Sequence, residues 1–530
     1  MTARAVMVLG TSSHAGKSLL TAALCRIFAQ QGYRVAPFKS QNMSLNSAAT
    51  PEGLEIGRAQ ALQAEAAGIA PSVHMNPILL KPAGNMTSQV IVHGKIWGRL
   101  SAADYHQRRV EELLPLVCES YRTLTAENDV IVLEGAGSPA EINLKQHDIV
   151  NMRMAEMADA VCLLVGDIDR GGVFASLLGT VELLEPRERA RIRGFVINKF
   201  RGDVSLLTPG LRMIEDRVNK PCLGVVPYLE NLSLDEEDSL GLPALDSFPK
   251  AQWTIASAGR PLRVAVIAFP SLSNFTDFDA LRSEPSVAVR FCRKPEQLHE
   301  ADIVILPGSK QTAVDLLWMR TEGLESSVIE HAGTGLVIGI CGGMQMLGQR
   351  ILDPDEIEST GSIQGLCLLP IETTMRPSKI TLAGTGQLMA KSLFRQRVGN
   401  IPLRGYEIHV GETSYIGLAQ PFALLVRQTQ ESAPETVGDG CISPDSRIFG
   451  TYLHGLFDGD DFRHAFIKSA RAFCHLTPAA ELSNWGSKRR QSLDRLAGTV
   501  SESLDMQKIF EWVGLSYRTS PVRAVPEEAR

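Results

Sequence analysis

Two stretches of the chain place chemically useful side chains where a backbone turn could activate them. The first is Gly335 to Gln349, read as GLVIGICGGMQMLGQ. Leu336, Val337, Ile338 and Ile340 form a short apolar run, expected as a buried strand. The run stops at Cys341, then come Gly342-Gly343 and a helix-like Met344 to Leu347. Small neighbours let the backbone take a strained strand-to-helix turn. A thiol at that turn sits at the positive end of a helix, which favours the thiolate. Backbone N–H groups of Gly342, and of Gly308 in Pro307-Gly308-Ser309-Lys310, are candidate oxyanion donors. The plain alternative is a buried cysteine packed as a small hydrophobe. A base tips the balance. His454 ends the strand-like stretch Arg447 to Leu453 and precedes Gly455. Alone it reads equally as a structural histidine. At a strand end matching that of Cys341, it reads as the general base that takes the thiol proton and returns it to a leaving group.

The second stretch is Gly10-Thr11-Ser12-Ser13-His14-Ala15-Gly16-Lys17-Ser18. An apolar strand, Ala5 to Leu9, precedes it. Leu19, Leu20, Ala23, Leu24, Ile27 and Phe28 follow at helical spacing, and Gly32 is a helix stop. Strand, glycine loop, Lys-Ser and helix are the context a phosphate-binding loop requires. Its N–H groups, including those of Gly10, Thr11 and Gly16, would cradle phosphates. Lys17 would reach the terminal phosphates of ATP, and the Ser18 hydroxyl would sit on Mg2+. Five residues separate the glycines where the usual pattern has four.

These residues need a parallel sheet to position them. Val130 to Leu133, Val161 to Val165, Gly194 to Ile197 and Cys222 to Val226 are apolar runs alternating with helical stretches. Each ends in polar or turn-forming residues, and such ends line the ligand crevice of an α/β fold. Glu134, at one strand end, is a candidate Mg2+ ligand, or else a salt-bridged strand end. Lys39 adds positive charge near the phosphates. Asn198 suits adenine recognition through its amide, or caps a turn. Asp148 precedes a helix-like Ile149 to Ala158, where its plain role is an N-cap.

A chain of 530 residues exceeds one hydrophobic core, so at least two domains are expected. Residues 1–231 read as the phosphate-binding domain. Residues 232–261, acidic and then rich in Pro, Ser, Ala and Gly, read as a linker. Residues 262–475 open a second α/β sheet at Arg263 to Phe269. Within it, Gly365 to Ile416 reads as antiparallel strands and hairpins. Residues 476–530 read as a tail with one helix, Ser492 to Val513, and a frayed end from Pro521. A net charge of −6 gives no reason to expect nucleic acid or a membrane surface as partner. No apolar run is long enough to span a bilayer. The N-terminus lacks a charged region and a cleavage site, so no signal peptide is expected. Nine scattered cysteines without a CxxC pair suit a reducing cytoplasm.

Longer segments carry a family resemblance. The five-residue loop is similar to the dethiobiotin synthetase-like branch of P-loop proteins. Gln41-Asn42-Met43-Ser44-Leu45-Asn46-Ser47, Asp148 to Met152, GDIDRGGVFAS from Gly166 to Ser176, and Asn198 to Asp203 resemble the cobyric acid synthases. PGSK, GICGGMQ and YLHG resemble class I glutamine amidotransferases of the branch attached to cobyric acid and cobyrinic acid diamide synthases. The resemblance implies two α/β domains, an N-terminal doubly wound, mostly parallel P-loop sheet and a C-terminal amidotransferase. It raises Asp148 toward a role in carboxylate activation. It departs from many class I members in one respect: a Glu two residues after the histidine is here Leu456, so the group orienting His454 is unassigned. Glu407 and His409 are polar residues without a place.

The resemblance further implies the substrates, ATP, glutamine and a cobalt corrinoid. Adenosylcobyrinic acid a,c-diamide would be amidated at its b, d, e and g carboxylates through acyl phosphates. Three other readings stand beside it: a cobyrinic acid a,c-diamide synthase, an amidotransferase acting on another carboxylate, and a P-loop ATPase switch with an inactive binding domain.

Overall fold

The computed structural model describes residues 3–83, 87–235, 260–358, 361–427 and 434–518, and the chain divides into two units. The first comprises Met1–Ser44, Ile56–Leu234 and Arg489–Arg530; the second, Leu45–Glu55 and Asp235–Lys488.

The first unit is built on six parallel strands in the order Cys222–Pro227, Ile192–Phe200, Val161–Asp167, Arg4–Gly10, Val130–Glu134 and Val35–Phe38. The central strands are buried almost end to end, which is why they read as unbroken apolar runs. The phosphate-loop strand lies between Val161–Asp167 and Val130–Glu134, so three C-terminal strand ends meet beside Gly10. A smaller sheet pairs Gln41–Met43 in parallel with Ile78–Ala83, which continues antiparallel to Thr87–Val92 and Lys95–Ser101.

Two expectations about domain limits are corrected here. Residues 476–530 do not form one separate tail. The single helix expected over Ser492 to Val513 is two, Trp485–Ser503 and Met506–Val513. They part at Leu504–Asp505, where Leu504 bridges Gly224 and the Asp505 carboxylate caps the second helix by accepting from Lys508 N–H. From Arg489 on they complete the first unit's core: Leu493, Leu496, Val500, Ile509 and Phe510 are buried, with Phe510 4.5 Å from the ring of Phe28. The apolar positions of this stretch were a core face that needed a partner, not a tail. The other correction is Leu45–Glu55, expected within the first domain and found in the second unit. Of the expected linker, residues 236–259 lie outside the described residues, as does the end from Pro521.

The second unit holds five parallel strands, Val287–Cys292, Leu262–Ile267, Ile303–Leu306, Leu336–Ile340 and Ile448–Thr451, with Cys441–Ile442 antiparallel at the edge. A second sheet is mostly antiparallel and centres on two long strands, Ile371–Leu388 and Pro402–Tyr415. It includes Leu453–His454, paired with Tyr406 and Glu407. The hairpins expected over Gly365 to Ile416 are thus present, as longer strands than the glycines suggested.

Candidate active site

Cys341 follows strand Leu336–Ile340 and caps the short helix Gly342–Leu347, with φ 52° and ψ −111°. A positive φ on a non-glycine residue is strained, costing about 1–3 kcal/mol where surroundings enforce it. Those surroundings are visible. Cys341 N–H donates to Thr451 O at 2.8 Å, and a side chain at Gly343 would strike Leu306 O, so glycine alone fits there. Cys341 is 7% exposed, and its Sγ lies 3.6 Å from Ile408 O, to which it donates. The expected nucleophile turn is present in form.

His454 is buried, with Asp277 and Cys341 as the groups that act on its charge. Its Nδ1 lies 2.7 Å from Asp277 Oδ2, and Gly455 N–H donates to Asp277 Oδ1 at 2.9 Å. Burial by itself disfavours the imidazolium. The charges of Asp277 and Cys341 and their hydrogen bonds outweigh it, raising His454 to about 10. The imidazolium form of His454 is therefore favoured at neutral pH. Asp277 is the orienting acid that the sequence left unassigned. It comes from the turn Phe275–Phe278, 177 positions before His454, and no spacing signal ties the two together.

The Gly308 and Gly342 expectations fall beside this group. A Cβ on Gly308 would lie 3.1 Å from His454 Cε1, and one on Gly342 would lie 3.0 Å from Ser309 N. The loop Gly308–Lys310 is fixed by Ser273 N–H donating to Gly308 O and Lys310 N–H donating to Ser271 O.

Glu407 and His409 now have places. Arg427 grips Glu407 through two bonds of 2.6 and 2.7 Å. Burial would raise the Glu407 carboxyl, but Arg427 and His409 hold it down at about 2. His409 Nδ1 donates to Gly411 O, and its ring stacks 3.6 Å from Tyr452. The intervening Ile408 carbonyl is the one facing the thiol. Gln345, one turn along the nucleophile helix, joins Thr312 Oγ1 to Tyr452 Oη.

In the first unit, Gly10 to Ser18 wraps as expected. Gly16 has φ 91°, and a side chain there would collide with Asn198. Asn198 donates to Ala15 O at 2.9 Å, so its amide nitrogen braces the loop. Lys199 bridges His14 O and Asp167 Oδ2, at 2.6 and 2.9 Å, from the same strand end. Thr11 N–H donates to Val165 O. The Lys17 ammonium reaches Ser12 O and Gly137 O.

Three side chains converge on one buried carboxylate. Ser18 Oγ and Lys39 Nζ each donate to Glu134 Oε1 at 2.9 Å, and Gln63 Nε2 donates to Oε2 at 2.6 Å. Glu134 and Gln63 are fully buried. The remaining Gln63 oxygen has no hydrogen-bond partner among the described residues. One carboxylate, one hydroxyl and an orphaned amide oxygen suit a hard cation that takes its other ligands from water and phosphates. Gln63, on the alanine-rich helix Arg58–Ala67, was not anticipated; its sequence signal was a pair of glutamines, Gln60 and Gln63, one turn apart among alanines.

Asp148 stands apart. Its oxygens accept from Val150, Asn151 and Arg153 N–H, an N-terminal cap on Met152–Met157. No hydrogen bond among the described residues joins it to Lys17, Ser18 or Glu134. It reaches the loop at one remove, since Asn151 ties both N–H and C=O of Ala136.

Comparison with known proteins agrees with this division. Residues 6–242 match the CobQ/CobB/MinD/ParA nucleotide binding domain family. Residues 263–462 match the CobB/CobQ-like glutamine amidotransferase domain family. Curated relatives align over nearly their full length. The cobyric acid synthase of Thermoanaerobacter sp. (strain X514) is 48% identical over 515 residues, 96% of this chain and 98% of the relative. That of Moorella thermoacetica is 48% identical over 515 residues, covering 97% and 98%.

Proposed function

This chain belongs to the cobyric acid synthase family, and we propose that its two sites divide one glutamine-dependent amide synthesis between them. The Cys341–His454–Asp277 constellation, in the same chain as a complete phosphate loop, is the observation that carries the reading. A carboxylate does not condense with ammonia at neutral pH, because hydroxide is a poor leaving group and ammonia is mostly protonated. Each site removes one obstacle.

In the second unit, the Cys341 thiolate attacks the side-chain amide of glutamine. Gly308 and Gly342 N–H stabilise the oxyanion, and the His454 imidazolium gives its proton to the departing ammonia. The thioester that remains is hydrolysed by water, with His454 taking the water's proton, to give glutamate. Asp277 holds the imidazole in the required tautomer and direction throughout.

In the first unit, the loop Gly10–Ser18 would bind ATP, and Ser18, Glu134 and Gln63 would hold Mg2+. When bound, that ion neutralises charge on the transferring phosphoryl group. Lys17 exchanges the carbonyls it now holds for phosphate oxygens, and Lys39 pairs with Glu134. The acceptor carboxylate takes the γ-phosphoryl group, and ammonia then displaces phosphate. Asp148 serves this site by capping the segment that holds Ala136. The acceptor is the corrinoid adenosylcobyrinic acid a,c-diamide, amidated at b, d, e and g.

Mass spectrometry of that corrinoid after incubation with the protein, Mg-ATP and glutamine tests the reading. Four successive replacements of carboxylate by amide are expected. A folded, ATP-binding protein that leaves the corrinoid unchanged overturns the substrate.

A further inference from the structure

The strand Ile448–Thr451 runs parallel beside Leu336–Ile340, with Thr451 opposite Ile340. Just beyond it, Leu453–His454 pairs antiparallel with Tyr406 and Glu407 in the other sheet of the same unit. The chain thus changes sheets at Tyr452, between the residue that meets Cys341 and the residue that serves as its base. A strand that leaves one ladder for another takes its main-chain N–H groups away from their partners, and buried N–H groups need others. Tyr452 and Leu453 are both buried.

One carboxylate supplies what the crossing lacks. Asp439, 3% exposed at the end of strand Glu435–Asp439, accepts from Tyr452 N–H through Oδ1 at 3.0 Å and from the Thr451 hydroxyl through Oδ2. Thr451 Oγ1 in turn accepts from Leu453 N–H at 3.0 Å. The Thr451 carbonyl is the acceptor that holds Cys341 N–H at 2.8 Å in its positive-φ turn.

Asp439 is itself pinned. Gly440 follows it with φ 68°, and a Cβ there would stand 2.1 Å from Gly450 O. The main chain that carries Asp439 therefore lies directly against the strand it braces. Burial and the charge of Glu407 push the Asp439 carboxyl up to about 7, against its bonds from Thr451 and Tyr452 and the charge of Arg427. No hydrogen bond among the described residues joins this costly group to Cys341 or His454. Its side-chain bonds go to the crossing between them.

We propose that Asp439 is a positioning residue of the thiol site: by holding Thr451 and Tyr452 where the chain changes sheets, it sets the Cys341 main chain and the His454 ring against each other. It acts on Cys341 through Thr451 O, and on His454 through the path of the chain from Tyr452. It touches no reacting atom. The inference rests on the amidotransferase reading.

The test is steady-state glutamine hydrolysis by the full chain. The rate is expressed per site labelled by a chloroketone analogue of glutamine, so that unfolded protein is not counted. Asp439→Ala deletes both acceptors. Its kcat should fall about thirtyfold, within what an ångström of misplacement costs, with KM for glutamine within about twofold. Asp439→Asn can offer its amide oxygen to Tyr452 N–H and its amide nitrogen to Thr451 Oγ1 once that hydroxyl rotates, and should keep kcat within about threefold. Thr451→Val keeps the carbonyl that holds Cys341 and deletes the hydroxyl. It should lower kcat about tenfold, the scale of one lost buried hydrogen bond. If Asp439→Ala does not fold, Thr451→Val and Asp439→Asn decide the matter. The inference is overturned if kcat of folded Asp439→Ala, or of Thr451→Val, stays within about twofold of the unaltered protein, or if the loss appears in KM instead. It is also overturned if Asp439→Asn falls by about tenfold or more, since the charge and not the geometry would then be the working property. Cys341→Ala separates this from failure of the underlying reading. If that variant still hydrolyses glutamine, the amidotransferase assignment itself is wrong. If it does not, and the Asp439 and Thr451 variants match the unaltered protein, this inference alone fails.

Discussion

The phosphate site and the thiol site both sit at C-terminal ends of parallel strands, each at the start of a helix, yet they are made of opposite materials. In the phosphate site the working atoms end long, jointed side chains: Lys17, Lys39, Gln63 and Glu134. The cradle itself is main chain, braced from outside by Asn198 and Lys199. In the thiol site the working atoms sit on shorter or ring-stiffened side chains, those of Cys341, His454 and Asp277. Each is buried, and the backbone of Cys341 is held in a strained conformation. The first arrangement can follow a moving phosphoryl group. The second stores its geometry in advance, where a misplacement of an ångström is costly. Losses should accordingly be graded in the first site and abrupt in the second.

Cys341→Ala gives the largest expected effect. Glutamine-driven synthesis should fall about 10³-fold or more, as removal of a nucleophile does elsewhere. Synthesis driven by ammonium salts should stay within about twofold, since phosphoryl transfer needs no thiol. Lys17→Met is the reciprocal test. It should lower glutamine-driven and ammonia-driven synthesis together, by about 10²–10³-fold, because both need the acyl phosphate. If Lys17→Met spared ammonia-driven synthesis, the division of labour between the two sites would be wrong.

Asp277→Asn comes next. Loss of the orienting charge should lower kcat for glutamine hydrolysis by about 10²-fold or more, with little change in KM. The pH profile separates this from general damage. His454 is raised to about 10, chiefly by Asp277 against the opposing effect of burial. The imidazolium form, and with it the ion pair, is therefore retained through neutral pH and lost as pH rises through about 10. The pair's contribution to stability has the same sign: full below the free-histidine value near 6.5, and fading toward that upper limit. In Asp277→Asn the alkaline limb of kcat/KM should move to lower pH by about one unit or more. An unmoved limb would mean that Asp277 only packs.

The same contrast governs what the sequence could reveal. The phosphate loop is contiguous, so Gly10 to Ser18 announced itself, and the strands ending at Glu134 and Asn198 followed from unbroken apolar runs. Cys341 and His454 were legible because each lies in a turn whose glycines have no other purpose. Asp277 was not, because a hydrogen bond across 177 positions leaves no local pattern. Leu456 stands where many relatives of the class place the acid, so even the resemblance pointed away from Phe275–Phe278. The C-terminal helices misled for a related reason. An amphipathic pattern fixes that a face must be buried but not against what, and here the partner is the helix after the phosphate loop. Asp148 shows the converse: its motif suggested chemistry, while its oxygens are taken up by three backbone donors.

Gln63→Met carries the smallest expected effect and bears most directly on the contrast. Gln63 gives its amide nitrogen to Glu134 and keeps a buried oxygen without a partner among the described residues. Methionine preserves length and burial and removes both polar atoms. If that oxygen, directly or through water, helps hold Mg2+, the Mg2+ concentration for half-maximal synthesis should rise about tenfold, in the range seen when supporting ligands of a metal are lost. At saturating Mg2+ the rate should return to within about threefold, because Glu134, Ser18 and the phosphates still bind the ion. Glutamine hydrolysis measured without ATP should not change. A loss that saturating Mg2+ cannot restore would place Gln63 in a pre-set geometry as strict as that of Asp277, and the distinction between an adjustable site and a rigid one would fail. An unchanged Mg2+ requirement would leave Gln63 as a brace for Glu134, with its orphaned oxygen a cost of packing rather than a ligand.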